Sequence, residues 1–410
     1  MTAGSGPDRL GLPSPLLFHL AAAAGVMEKG LAQIVAQQTD ATRDVMPWAP
    51  HLRDALADLS PPDPVLAACE ATRRLARMMA GIEAWQRHPH RRRLPEPSVI
   101  WRAGSARLLD FGGRGPVVLA VPSLINHAHI LDLGRGHSLM RHLASAGLRP
   151  LLLDWGGAGP EEHGFDLTAY HDLRLVPALE AAARDGPVSV LGYCMGGTLA
   201  AALAQTRPDL VARLALMGAP WRFADTAGVA GGLRKLGRDA GPDRLAQTLT
   251  AFDTMFGAVP GDLLQLLFAM LDPGLVLTKF RRFAGLPRRS RDALRFVELE
   301  DWVNSPVDLP GPAAVEILVD WQLRDLTGRG RWQLAGQRVD PGKIGQPALV
   351  VCASADRIAP PGTTEPLAAA IAGAQVIRPA TGHVGMIVGR ASRNTVWAPL
   401  SEFLAAPGRG

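Results

Sequence analysis

The chain has 410 residues, 47% hydrophobic and 20% charged, which describes a soluble globular protein long enough for one large domain plus an accessory region. Its net charge of +5 comes from arginines gathered at Arg87–Arg93 (RHPHRRR) and Lys279–Arg291 (KFRRFAGLPRRSR). No aromatic-interleaved basic stripe accompanies them, so nucleic acid is not expected as a partner. The clusters read first as solvated surface, and second as an attraction for an anionic cofactor or membrane surface. The three cysteines, Cys69, Cys194 and Cys352, are too sparse for a disulfide framework or a zinc site, and fit a reducing cytoplasm.

In chain order, the apolar run Leu16–Met27 is too short to span a bilayer and continues into a helix-like stretch ending at Gln38. It reads as an amphipathic helix rather than a signal peptide. A second helix is expected over Val65–Trp85, so residues 1–95 form a helical N-terminal region. From there the character changes. Val99–Phe111 suggests one or two antiparallel strands. Strand-length apolar runs follow at Val117–Val121, Pro150–Asp154, Val188–Gly192, Leu214–Met217, Ala348–Ala353 and Gln375–Arg378. Helix candidates at Ser138–Ala146, Tyr170–Ala183 and Gly197–Gln205 alternate with the first four. Alternation of this kind argues for an α/β fold with a mostly parallel sheet covered on both faces. After Ala219-Pro220-Trp221 the alternation stops, and helix-like stretches such as Pro260–Leu271 and Ala313–Leu323 fill the gap. Residues 222–342 are therefore expected to be a helical cap inserted into a core made of 96–221 and 343–405. The tail after Ala405 is expected to fray.

The chemistry centres on LGYCMGGT, residues 191–198. Its G-x-C-x-G pattern is a nucleophile elbow with cysteine in place of serine, between a strand and a helix. Gly192, Gly196 and Gly197 allow the close backbone approach of a sharp turn. The following helix points its N-terminus at the Cys194 sulfur, and the Met195 N–H is a candidate oxyanion donor. The base is expected at His383 in TGHVG, after the last strand, and its orienting acid at Asp356 in ASADRIAPP, after the preceding strand. Nucleophile, acid and base then follow the order of the α/β-hydrolase fold. A second oxyanion donor is expected from the loop VPSLINHAHILDL, at the backbone of Leu124 or Ile125. His127 and His129 in that loop lack a convincing third ligand, so no metal is expected. Gly156-Gly157-Ala158-Gly159 lacks the spacing of a dinucleotide loop and reads as a turn.

VPSLINHAHILDL, LLLDWG (Leu151–Gly156), LGYCMGGT, APWRF (Ala219–Phe223), LEDWVN (Leu299–Asn304), ADRIAPP (Ala355–Pro361) and GHVG (Gly382–Gly385) together resemble poly(3-hydroxyalkanoate) synthases, from about Pro116 to Ala405. The size and the LEDWVN segment are most similar to the short synthases that need a partner subunit. The chain departs from the family pattern at Leu124, often tryptophan, at Gly157–Pro160, and at Asn304-Ser305-Pro306. The resemblance implies transfer of (R)-3-hydroxyacyl groups from coenzyme A to a growing polyester. Cys194 would carry the acyl chain as a thioester, His383 would activate the thiol and the incoming hydroxyl, and Asp356 would orient His383 or help deprotonate the hydroxyl. It also implies a second synthase subunit or a homodimer, with no bound cofactor beyond the coenzyme A thioester substrate, while the apolar stripe of the N-terminal helix suggests contact with polyester granules in the cytoplasm that the cysteines fit.

Sulfur suits this chemistry. Exchanging one thioester for another costs little free energy, so the acyl group stays activated for attack by an alcohol. Dienelactone hydrolases share a similar cysteine elbow, so LGYCMGGT alone leaves a cysteine-nucleophile hydrolase open: a depolymerase, a thioesterase or a dienelactone-hydrolase-like enzyme.

Overall fold

A computed structural model describes residues 64–224, 234, 237–269 and 275–406. The expected helix at Leu16–Gln38 and the tail beyond Ala406 lie outside the described residues. The chain divides into two compact units, Met1–His90 with Asp272–Val297, and Arg91–Leu271 with Glu298–Gly410.

In the smaller unit the helix Pro64–Gln86 packs against the helix Leu275–Ala284. A side chain at Gly81 would collide with the Phe280 carbonyl, so the two backbones touch there. Met78, Ile82, Trp85, Phe280, Phe283, Ala293 and Val297 form the core. The basic stretch Lys279–Arg291 is thus more than a solvated run. Phe280 and Phe283 turn inward while Arg282, Arg288 and Arg289 stay exposed.

The larger unit is built on eight strands: β1 Ser98–Ala103, β2 Ala106–Asp110, β3 Val117–Val121, β4 Arg149–Asp154, β5 Val188–Tyr193, β6 Val211–Met217, β7 Ala348–Val351 and β8 Gln375–Ile377. Their order across the sheet is β1-β2-β4-β3-β5-β6-β7-β8. β1 pairs antiparallel with β2, and β2 antiparallel with β4, while every later pairing is parallel. The six expected strand runs all fall on strands, and Val99–Phe111 divides into the β1–β2 hairpin.

Why the central strands read as unbroken apolar runs is visible in their pleat. In β3, Leu119 and Val121 join one core cluster while Val118 and Ala120 join another. β6 does the same with Leu214 and Leu216 against Ala215 and Met217. Successive side chains point to opposite faces, and both faces are covered, so both parities are mostly apolar, with Ser189 in β5 and Arg213 in β6 as exceptions.

The helices Pro242–Phe256 and Gly261–Ala269 and the stretch Gly311–Leu323 belong to this unit. Leu249, Leu264, Ala313 and Ile317 join the same core cluster as the sheet residues Leu119 and Val190. From Glu316 to Leu323 the backbone is π-helical.

Glu316 Oε1 accepts the Leu167 N–H at 2.9 Å and so caps the helix that begins there. Burial pushes its carboxyl up to about 7; the Leu167 N–H opposes this, and the charges of Asp166 and Asp320 reinforce it. A carboxyl raised on folding binds its proton more tightly in the folded state. The stability it contributes is therefore full below the ordinary value of 4.5 and is lost as pH rises through about 7. Glu316→Gln keeps the acceptor and removes the charge. It should match the parent near pH 5 and be more stable at pH 8, by on the order of 2 kcal/mol. Thermal unfolding at the two pH values measures this; a variant less stable than the parent at pH 8 would contradict it.

Candidate active site

β5 runs into Cys194, and the helix Met195–Thr206 begins at the next residue. Cys194 itself sits at φ 57°, ψ −132°, a conformation that non-glycine residues adopt only under strain. The neighbours hold it there. Its N–H donates to the Met217 carbonyl on β6 at 2.9 Å, and its own carbonyl accepts from Gly197 at 2.9 Å. Thr198 Oγ donates to the Pro220 carbonyl at 2.6 Å, tying the helix to the loop after β6.

The three elbow glycines each meet a wall. A Cβ at Gly192 would strike Gly197 and Ala200, one at Gly197 would strike Ala219, and one at Gly196 would strike the carbonyl oxygens of Val121 and Pro122. The last contact brings the elbow against the start of the loop that carries Leu124 and Ile125. Both of those residues are buried, in the same core cluster as Met195. Met195 opens the helix, so its N–H is one of the donors that no helical carbonyl can reach. The Ile125 N–H makes a long 3.4 Å contact with Ser123 Oγ. Cys194 is half-buried and packs against the clusters on both faces of the sheet.

His383 follows β8 and Asp356 follows β7, and the two are joined: His383 Nδ1 lies 2.7 Å from Asp356 Oδ2. The other carboxylate oxygen accepts the backbone N–H groups of Ile358 at 2.8 Å and Ala359 at 2.9 Å, which fixes the carboxylate plane. Burial works against the charged imidazole, but the charges of Cys194 and Asp356 overcome it and raise His383 above its ordinary value. Its buried Nε2 makes no hydrogen bond of regular geometry, yet Cys194 raises the imidazole both through its charge and as a side-chain hydrogen-bond partner.

Two residues around His383 carried no clear mark in the sequence. Tyr193, directly before Cys194, lays its ring 5.2 Å from the imidazole and donates its hydroxyl to the His383 carbonyl at 3.3 Å. Gly218, at φ +56°, leaves space that a side chain would take from the imidazole ring. A tyrosine beside an elbow and a glycine ending a strand were the available signals, and neither names its partner.

His127 and His129 stack 5.7 Å apart, and burial lowers both, His129 to about 3. Among the described residues no group of three or more His, Cys, Asp or Glu side chains could hold a metal ion. Gly156–Gly159 is tightly curled, the Gly157 N–H donating to the Trp155 carbonyl at 3.1 Å and the Gly159 N–H to the Gly157 carbonyl at 2.9 Å, and Ser105 Oγ lies 2.8 Å from both carbonyl oxygens, to one of which its single proton is given. No helix among the described residues is long and apolar enough to cross a membrane.

The family model for the alpha/beta hydrolase fold matches residues 116–389, a span that holds Cys194, Asp356 and His383. The chain belongs to the alpha/beta hydrolase fold family. Within it, this alpha/beta hydrolase-fold chain is similar to curated proteins named poly(3-hydroxyalkanoate) polymerase subunit PhaC. The one from Haloferax mediterranei is 28% identical over 75% of this chain and 63% of its own length. The one from Haloarcula marismortui is 29% identical over 72% of this chain and 61% of its own. The chain thus spans less than two thirds of the length of these relatives. Among solved structures, an alpha/beta hydrolase fold protein from Nakamurella multipartita is 22% identical, with a TM-score of 0.46 over 75% of this chain and 99% of that one.

Proposed function

We propose that this protein is an acyltransferase that polymerises (R)-3-hydroxyacyl groups from coenzyme A into a polyester, with the growing chain held on Cys194 as a thioester. The observation that carries the reading is the strained Cys194 elbow accompanied by the buried His383–Asp356 pair, in a chain similar to the PhaC subunits.

The Cys194 sulfur attacks the thioester carbonyl of the acyl-coenzyme A, and the oxyanion forms facing the N–H groups of Met195 and of Leu124 or Ile125. The carbon–sulfur bond to coenzyme A breaks, and the leaving thiolate takes the proton held by His383. The acyl group is now a thioester of Cys194, close in free energy to the one it replaced. A hydroxyl then gives its proton to His383 and attacks that thioester. An ester bond forms and the Cys194 thiolate is released. Asp356 holds the imidazole with Nδ1 turned inward, so that Nε2 is the nitrogen left to move protons.

The two half-reactions differ in how much base they need. A thiol loses its proton readily, whereas an alcohol does not. Asp356→Asn should therefore keep measurable acylation of Cys194 while overall turnover falls roughly a thousandfold or more. Equal losses in single-turnover acylation and steady-state turnover would refute this division of labour.

A cysteine hydrolase on the same elbow is the rival reading. Purified protein with (R)-3-hydroxybutyryl-coenzyme A separates the two by thiol release and product mass. Ester oligomers whose formation depends on Cys194 support the transferase. Free 3-hydroxybutyrate supports the hydrolase. We place the activity in the cytoplasm at a polyester granule surface. A partner subunit or second copy is part of the proposal, and activity that appears only on mixing with such a subunit would identify it.

A further inference from the structure

The loop from Pro122 to His127 carries both candidate oxyanion donors, yet it belongs to no ladder or helix of its own. Leu124 and Ile125 lie in a turn. What fixes the loop is a pair of tryptophans, one at each end. Trp155 Nε1 donates to the Pro122 carbonyl at 3.0 Å, and Trp302 Nε1 donates to the His127 carbonyl at 2.9 Å.

Both indoles are themselves immobilised. Trp155 is 4% exposed and stands edge-on against Tyr170, ring centres 5.7 Å apart. Its carbonyl oxygen lies 2.8 Å from Ser105 Oγ. Trp302 is 7% exposed and packs in the cluster that holds Ala128, Ile130 and Leu131, the turn immediately after the loop. Four residues beyond Trp302, Pro306 forms an antiparallel β-bridge with Asn126, so the same segment grips the loop twice.

We propose that Trp155 and Trp302 form a two-point clamp that sets the backbone N–H groups of Leu124 and Ile125 over Cys194. They are positioning residues: neither touches the reacting atoms, and each acts through a carbonyl of the loop. The inference rests on reading Leu124 or Ile125 as an oxyanion donor. The physical argument is one of tolerance. A donor must meet the oxyanion at about 3 Å, and a shift of about 1 Å removes most of its effect. A short buried turn without ladder bonds can shift by that much unless its carbonyls are held. Buried carbonyls demand donors, and rigid planar indoles supply them from a fixed distance.

The test compares two reactions of Cys194 in the full chain. Acylation by p-nitrophenyl butyrate passes through an oxyanion, whereas alkylation by iodoacetamide displaces iodide at a saturated carbon and forms none. Trp155→Phe and Trp302→Phe each keep an aromatic ring and lose the N–H. Each should lower kcat for acylation roughly 10- to 100-fold, less than outright removal of a donor, with KM within about threefold and alkylation within about twofold of the parent. Benzothienylalanine placed at position 302 keeps the shape of the indole without its N–H, and should reproduce Trp302→Phe. Parental acylation rates in both phenylalanine variants would overturn the clamp. So would acylation and alkylation falling together, since that would locate the damage at the elbow rather than the loop.

The parent enzyme separates this from the wider proposal. Acylation of Cys194 by the p-nitrophenyl ester without thiol release from (R)-3-hydroxybutyryl-coenzyme A would count against the polymerase reading, and the clamp would still be decided by the variants. Acylation by neither compound would overturn the clamp together with the nucleophile.

Discussion

Cys194→Ala should abolish the acyl-enzyme and lower coenzyme A release from (R)-3-hydroxybutyryl-coenzyme A by roughly four orders of magnitude or more, the scale on which loss of a nucleophile is felt in triad enzymes. The structure adds a second, separable expectation. At φ 57°, ψ −132° the residue stores backbone strain whatever its side chain, unless that side chain is absent. Cys194→Ala keeps a Cβ and therefore keeps the strain. Cys194→Gly should lose activity equally yet be more stable than the alanine variant, by about 1 kcal/mol or somewhat more. Thermal unfolding of the pair, with intact-mass detection of acylation, measures both effects. Substantial turnover in either variant would remove Cys194 from the mechanism. An alanine variant as stable as the glycine one would remove the strain from the account of the elbow.

Gly196→Ala should be nearly as damaging, although it touches no reacting atom. Its Cβ would overlap the carbonyl oxygens of Val121 and Pro122, both backbone atoms that cannot swing aside. The Pro122 carbonyl is also the acceptor of the Trp155 indole, so retreat would break that bond. Either the elbow lifts away from the Leu124–Ile125 turn or the turn is pushed from the elbow. Both would separate the sulfur from the candidate oxyanion donors. Acylation should fall by roughly a hundredfold or more, and the unfolding free energy by about 1 to 3 kcal/mol, the usual cost of overpacking. Gly164→Ala is the control: nothing lies within 4 Å of its Cβ position, and both quantities should stay at the parental level. An active, stable Gly196→Ala variant would mean that the loop has slack.

The strands were legible because a sheet covered on both faces favours near-continuous apolar runs; β3 follows that rule residue by residue, while β5 and β6 depart from it only at Ser189 and Arg213. Their order was not. The exchange of β3 and β4 across the sheet depends on which edges meet after the chain crosses over, and no local pattern encodes it. The basic stretch Lys279–Arg291 was legible only in part: Arg282, Arg288 and Arg289 are solvated as expected, but the inward packing of its phenylalanines was not evident. Its charges dominate the composition, while two phenylalanines in register carry the packing.

The candidate site divides in the same way. Cys194, Gly192, Gly196 and Gly197 lie within six residues, so the need for a sharp turn is written locally. Asp356 and His383 were legible from their places after β7 and β8, even though their 2.7 Å contact joins residues 27 apart. Trp155 and Trp302 were visible only as members of motifs. Their acceptors lie 33 and 175 residues away, and an indole N–H is satisfied by any carbonyl that presents itself. The sequence by itself singled out the residues of the candidate site, because backbone conformation at a tight turn and the periodicity of buried strands are short-range constraints. Only the tertiary structure decided which donors and carbonyls face them, because those partners are chosen by the packing of segments far apart in the chain.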